Sequence, residues 1–414
     1  MSDEQFLTNC VRRGASLPES RFARSSAPVP PLAVAWLHPV IPNYRVPLLQ
    51  RLAKVPGLKV TSFYGAGNTE FSPPSATSGL TTIDAREVKS YPWPMKGERT
   101  LWQAAWYELC RGPYDVIVCQ ETIHNLTNWA LWATRGWHKK KLVFYGYGYR
   151  PDQLATGLRD IRDRVRKIFL TSADALIVYT NRGREECCRA GIESEKIFVC
   201  GNTLDTEALI PLAQDPRVIV GAGVLRERLQ LGGRPVLIYV GRLVPEKRLD
   251  VLLHTLRQLC ATMTPEPALL IVGEGASLPQ VREQAKEMPN VHFLGPIYDD
   301  YELAKVFLVA DLLVIPGRVG LTCVHGFCYG VPVVTTLRQV EQSPEFDYIQ
   351  HEKNGYVVSE PRVELYQEAL TTLLRDKRRL RAMKTHAYQT AQSLTMSTMT
   401  TQFVAAVRHS IARA

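Results

Sequence analysis

Short apolar runs rich in β-branched residues recur along this chain with amphipathic stretches between them. In the first half they are Leu32 to Leu37, Lys59 to Tyr64, Val116 to Cys119, Leu142 to Tyr145 and Ala175 to Tyr179. A run too short for a helix, followed by a helical period, marks a strand and its crossover, and strands joined this way lie parallel with helices on both faces. After Asn202 the pattern breaks through Leu212, Ala213, Gln214, Asp215 and Pro216. It then starts again with Pro235 to Val240, Ala268 to Val272, Val291 to Phe293, Leu312 to Ile315 and Pro332 to Thr335. The expected fold class is therefore α/β, with two Rossmann-like, doubly wound domains facing a cleft. A chain of 414 residues also exceeds what a single core organises. The expected layout is a disordered leader over 1–30, a first domain over 31–208, a second over 209–385, and a helical tail over 386–414 that can cross back.

Charge narrows the partners without choosing one. Fifty Lys and Arg against 40 Asp and Glu leave a formal charge of +10, which favours nucleotide phosphates, acidic lipid or nucleic acid. The nine cysteines form neither a CxxC zinc pattern nor a disulfide framework, which suits a reducing cytosol. Arg12, Arg13, Arg21 and Arg24 lie in a leader with no apolar h-region, unlike a signal peptide. The longest apolar run, Val306 to Ile315, is interrupted by Asp311 and falls well short of the ~20 residues a bilayer requires. Membrane contact, if made, is expected to be peripheral.

The chemistry gathers at the ends of the second set of strands. Val236 to Val240 passes directly into Gly241, Arg242, Leu243, Val244, Pro245, Glu246 and Lys247. Ligands of open α/β sheets sit beyond the carboxyl ends of the strands, so this turn aims its cations at the crevice. Gly241 permits a close backbone turn, Arg242 offers a planar fork to phosphate oxygens, and Lys247 adds a mobile point charge. The pair suits a diphosphate; as an isolated string it is equally at home solvated at a loop mouth. The next strand ends in Gly273, Glu274 and Gly275, a weak signal alone. A third turn, Pro316, Gly317, Arg318, Val319, Gly320, Leu321 and Thr322, leads into a helix carrying His325, Gly326 and Phe327, closed by Gly330 and Pro332. A helix N-terminus at the crevice offers free N–H groups to the same anion.

Taken in order, GRLVPEK, LLIVGEG and NVHFLGPIYDDYELAKVFLVADLLVIPGRVGLTCVHGFCYGVPVVTT resemble the retaining glycosyltransferases of family four, which have the GT-B fold. HPVIPNYRVPLLQRLAK, ADALIVYTNRG and EKIFVCGNTLDT extend the likeness more loosely over roughly Ala33 to Arg381. The resemblance implies transfer of a sugar from a nucleoside-diphosphate sugar with retention, using no cofactor and no bound metal. It puts Arg242 and Lys247 in the phosphate-binding, catalytic position. It puts Gly241, Gly273, Glu274, Gly317, Arg318, Gly320, Leu321, Thr322 and His325 around the donor. Family members usually carry two glutamates with seven residues between them, where this chain has Gly317 and His325. His325 can hydrogen-bond a donor ribose, serve as a packed histidine, or belong to a degenerate site. The retained Gly320, Phe327, Gly330 and Pro332 favour the first. The implied partners are a nucleotide sugar and a glycan or lipid-linked acceptor, with no nucleic acid, in polysaccharide or lipopolysaccharide synthesis in the cytoplasm or at the inner face of the cell membrane. A non-catalytic nucleotide-sugar-binding or scaffold protein and a nucleotide-sugar epimerase are the competing readings.

On the acceptor side, the turn His38 to Arg45 follows the first strand, and its two prolines, Pro39 and Pro42, preorganise it. Asn43, Tyr44 and Arg45 either touch substrate or cap and pack. His124, with Glu121 as neighbour, is a further candidate. Family members often have a histidine after the Leu142 to Tyr145 strand, where this chain has Gly146, Tyr147, Gly148 and Tyr149. Finally, Leu158, Ile161, Val165 and Ile168 recur at helical spacing among Arg159, Arg162, Arg164, Arg166 and Lys167, downstream of Arg135 and Lys139 to Lys141. Such a helix either packs on the sheet with a solvated basic face or docks on an anionic membrane.

Overall fold

The computed structural model describes residues 30–67, 75–76, 79–95, 98–149, 158–337 and 342–412. The expected leader lies outside these, apart from residue 30. In the first domain the strands are β1 (Leu32–His38), β2 (Leu58–Tyr64), β3 (Asp84–Glu87), a ribbon of β4 (Ser90–Met95) and β5 (Glu98–Gln103), then β6 (Val116–Gln120), β7 (Lys141–Gly146), β8 (Ala175–Val178) and β9 (Ile197–Val199). All but the ribbon form one seven-stranded sheet of order β3-β2-β1-β6-β7-β8-β9. The second domain has β10 (Val236–Val240), β11 (Ala268–Val272), β12 (Val291–Gly295), β13 (Leu312–Ile315), β14 (Val333–Thr336) and β15 (Gly355–Val358), in the order β12-β11-β10-β13-β14-β15. Every neighbouring pair in both main sheets is parallel.

Because side chains alternate across a strand, each sheet has two faces to bury. In the first sheet Trp36, Val60, Val118, Tyr145 and Ile177 face one way, onto Leu48 and Leu49 of the first helix and onto Met396, Met399 and Phe403 of the last. Ala35, Leu37, Ile117, Phe144 and Leu176 face the other way, onto Leu109, Leu131, Phe169 and Leu170. The last helix, Met396–Ala412, therefore belongs to the core of the first domain. The core of the second domain runs from Leu204 to Ala391 and takes in the helix Pro216–Arg228.

In each sheet the strand order reverses direction once. The reversal lies between β1 and β6 in the first domain and between β10 and β13 in the second. These switch points open a crevice at the carboxyl ends of the strands. Arg45 follows one, and the turns after β10 and β13 form the other.

The basic helix, Leu158–Thr171, sits differently from a simply packed one. Its apolar residues Ile161, Val165 and Ile168 are 57%, 38% and 58% exposed. Phe169 and Leu170 turn inward instead, and Arg166 donates to the Gly148 carbonyl at 2.9 Å and lies 3.6 Å from Glu121. Arg164 and Lys167 remain exposed, whereas the side chains of Leu158, Arg159 and Arg162 lie outside the described residues. No single described helix is long and apolar enough to cross a membrane.

Candidate active site

The three turns of the second switch point are laced backbone to backbone. Gly241 N–H donates to Val272 O at 3.0 Å and Leu243 N–H to Glu274 O at 2.8 Å, joining the turns after β10 and β11. Gly317 N–H donates to Lys247 O and Arg318 N–H to Glu246 O, both at 3.1 Å, joining the turn after β13. Contact this close requires glycine. A Cβ on Gly273, whose φ is 133°, would meet Gly241 O at 2.0 Å, and one on Gly317 would meet Glu246 O at 1.9 Å. Gly317 is thus fixed as glycine by the turn packed against it.

This lacing gathers three cations. Lys247 closes a short helical turn, Pro245–Lys247, and its ammonium donates to the Arg318 carbonyl at 2.5 Å. Burial, helped by the positive charges of Arg318 and Arg242, lowers its pKa to about 8, and Glu345 opposes that fall. Arg318 is exposed and its Nε donates to Ser343 Oγ at 3.0 Å. Arg242 is exposed as well, its backbone carbonyl held by the Tyr239 hydroxyl at 2.7 Å. Bringing like charges together costs energy that a bound anion returns. Glu274 points outward and accepts from the Tyr298 hydroxyl at 3.2 Å. Gly320, Leu321 and Thr322 form the start of the helix Thr322–Cys328, which is only seven residues long and has no side-chain cap.

On that helix the His325 ring stacks on Phe307 at 5.9 Å between centroids. Its side chain is 18% exposed and its Nε2 lies 3.9 Å from an Asp300 carboxylate oxygen. Burial lowers its pKa to about 4, so the ring is neutral and this contact is not an ion pair. Nε2 is shielded from solvent and makes no hydrogen bond among the described residues. A ribose hydroxyl reaches this nitrogen only after the side chains over it shift.

The residues read from the sequence as acceptor-side candidates separate into two groups. Asn43 and Tyr44 are exposed beside a cavity of about 150 Å³ at the end of β1, walled by Trp36, His38, Tyr44, Tyr145 and Tyr179. Arg45 is turned away from solvent, 5% exposed, with its guanidinium donating to the Tyr145 hydroxyl at 2.5 Å and to Asn202 Oδ1 at 2.8 Å. His124 is half-buried, and its carbonyl accepts the Leu101 amide of β5 at 2.8 Å. Glu121 accepts the Tyr147 and Gly148 amides at 2.9 and 2.5 Å, tying down the turn after β7. His38 opens the turn read from the sequence but was not singled out there as a site residue. It is 7% exposed, its ring tilted against Trp36 with centroids 4.4 Å apart, and its pKa is pushed down to about 3 by burial and by Arg45, so it is a neutral wall of the cavity. The signal was the aromatic residues closing β1, β7 and β8, where the crevice opens.

Residues 224–390 match the family model described as Glycosyl transferases group 1. Over 172 residues the chain is 32% identical to the GDP-mannose-dependent alpha-(1-6)-phosphatidylinositol monomannoside mannosyltransferase of Mycobacterium tuberculosis (strain CDC 1551 / Oshkosh), covering 38% of this chain and 43% of that protein. It is 26% identical to the D-inositol 3-phosphate glycosyltransferase of Jonesia denitrificans over 228 residues, 51% of each. The chain thus spans about half, or less, of these curated relatives. Among solved structures, Anabaena HepE in complex with UDP superposes with a TM-score of 0.67 at 17% identity, over 90% of this chain and 98% of that one. WaaG, a glycosyltransferase involved in lipopolysaccharide biosynthesis, does so at 0.63 and 16%, over 89% and 98%. The fold is GT-B.

Proposed function

We propose that this chain is a hexosyl-type transferase that takes a sugar from a nucleoside-diphosphate sugar and passes it, with retention, to a glycan or lipid-linked hydroxyl. The observation that carries the reading is the gathering of Arg242, Lys247 and Arg318 at the switch point of the second sheet. The diphosphate is the anion expected there, with Arg242 forking its oxygens and Lys247 supplying a point charge. As the bond from the anomeric carbon to the phosphate oxygen lengthens, negative charge grows on that oxygen, and preorganised cations lower the barrier. The acceptor oxygen forms the new bond on the same face, and its proton passes to the departing phosphate. No protein nucleophile is required. The GDP-mannose dependence of the mycobacterial relative and the UDP held by HepE support a nucleotide-sugar donor.

The basic helix supports a place of work at an anionic membrane. Ile161, Val165 and Ile168 are presented to solvent beside Arg164 and Lys167. Trp137, 50% exposed, belongs to the helix Arg135–His138, and Arg135 joins that helix to Ser172 O, just past the basic helix, at 2.7 Å. Apolar side chains inserted among basic ones suit an interfacial helix.

A panel of nucleotide sugars tested for thermal stabilisation and then, with glycan and glycolipid acceptors, for release of nucleoside diphosphate decides the matter. The expected result is one donor that stabilises the fold and is consumed only with acceptor. Stabilisation without release would favour the non-catalytic binder suggested by Gly317 and His325. Conversion of donor without acceptor would favour the epimerase, and the absence of any response would remove the reading.

A further inference from the structure

A chain of buried polar contacts crosses from the first domain to the second. Arg45 donates to Asn202 Oδ1 at 2.8 Å, and the Asn202 amide Nδ2 donates in turn to the Glu345 carboxylate. The three residues are 5%, 6% and 3% exposed. Asn202 also gives its backbone N–H to the Tyr348 hydroxyl at 2.7 Å. The segment that holds Glu345 grips the turn after β13: Gln342 accepts the Val319 amide at 2.8 Å, Ser343 accepts Arg318 Nε at 3.0 Å, and the Glu345 carbonyl faces Cys323 Sγ at 3.7 Å. One hydrogen-bonded path therefore runs from the turn beside the aromatic cavity to the loop that carries Arg318 and receives Lys247.

The chemistry at its centre is particular. Asn202 sits between a guanidinium, which only donates, and a carboxylate, which accepts. The amide meets both because it carries an acceptor and a donor on one planar group. Unpaired polar groups at this depth are costly, so the path holds only when each member finds its partner.

We propose that Asn202 and Glu345 are positioning residues of the transfer reaction, fixing the acceptor-side turn of the first domain in register with the cation-bearing turns of the second. The inference rests on the reading of those turns as the donor site. A misplacement of about 1 Å between reacting groups can cost on the order of 100-fold in rate, so a register of this kind belongs in kcat rather than in donor affinity.

The test uses near-isosteric changes in the full chain. N202D keeps the acceptor for Arg45 but sets two carboxylates together, and is expected to lower kcat about tenfold or more while the donor KM changes less than about threefold. The double variant N202D/E345Q restores the path with its second bond reversed, since the side-chain amide introduced by E345Q can donate to the carboxylate introduced by N202D, and should recover most of the loss. A side chain needed only for its volume would show no such rescue. Fluorophores on the two domains, read by energy transfer, report register without turnover: N202D should broaden or shift the distance and the double variant should restore it. An unchanged kcat and distance in N202D, or a double variant no better than N202D, overturns the proposal. If no donor is turned over by the unmodified chain, the active-site reading fails, and the distance measurement alone still decides the register.

Discussion

Burial and two guanidiniums bring Lys247 to about 8, so its charge is lost as pH rises through that value. A neutral amine no longer offsets phosphate, and kcat/KM for the donor is expected to fall on the alkaline side of about 8. The stability of the free protein should respond in the opposite sense. The folded pKa is below the ordinary 10.5, so between the two values the unfolded chain binds more protons and this group makes stability rise with pH. A pH profile of donor kcat/KM alongside thermal melts checks both signs. Arg242→Ala should cost about 2–4 kcal/mol of transition-state stabilisation, the range for one such charge or donor. It should also move the alkaline limb upward, because one of the neighbours that depress Lys247 is gone. Unchanged turnover in the folded variant would remove Arg242 from the site. His325→Ala separates two roles: a loss of about 1–2 kcal/mol in nucleoside-diphosphate affinity by calorimetry would mark a hydrogen bond to the ligand, and an unchanged affinity would leave the ring as packing on Phe307. Gly241, Arg242 and Lys247 were legible as one turn because they lie within a run of seven residues that follows a clear strand. Asn202 and Glu345 were not, because their partnership spans 143 residues and neither carries a local pattern.

At the scale of elements, the ten strands read from the sequence all exist, with ends displaced by two residues at most. The strands that went unread are β3, β9, β15 and the β4–β5 ribbon. They are edges or additions: β3 is the polar run DARE, β9 has three residues, and β15 begins at a glycine. An edge strand buries less, so its pattern need not alternate cleanly. The basic helix was legible as amphipathic, but its period could not say which face meets protein. The inward contacts of Phe169, Leu170 and Arg166 decide that, and they leave Ile161, Val165 and Ile168 outside. Replacing Ile161 and Ile168 together by Glu should abolish sedimentation with anionic vesicles at low salt while leaving the melting temperature nearly unchanged, since both are on the surface. Retained binding would move the docking face elsewhere.

For the whole molecule, the two-sheet architecture followed from the repeated strand pattern, whereas the path of the tail depended on where Met396, Met399 and Phe403 find a hydrophobic face. They find it against Trp36 and the outer helix Val46–Ala53, with Trp36 and Phe403 ring centroids 4.5 Å apart. Removing residues 396–412 should therefore unfold the first domain selectively. Calorimetry of that truncation is expected to retain the transition of the second domain and lose that of the first, and a single undiminished transition would contradict it. This wiring also sets an order of assembly. The first domain is synthesised first, yet part of one face of its sheet stays open until the last helix has been made. The second domain is contiguous and can close as soon as its own strands emerge. During synthesis the earlier half must wait, with an apolar surface exposed to any chaperone or neighbouring chain, for the later half to finish.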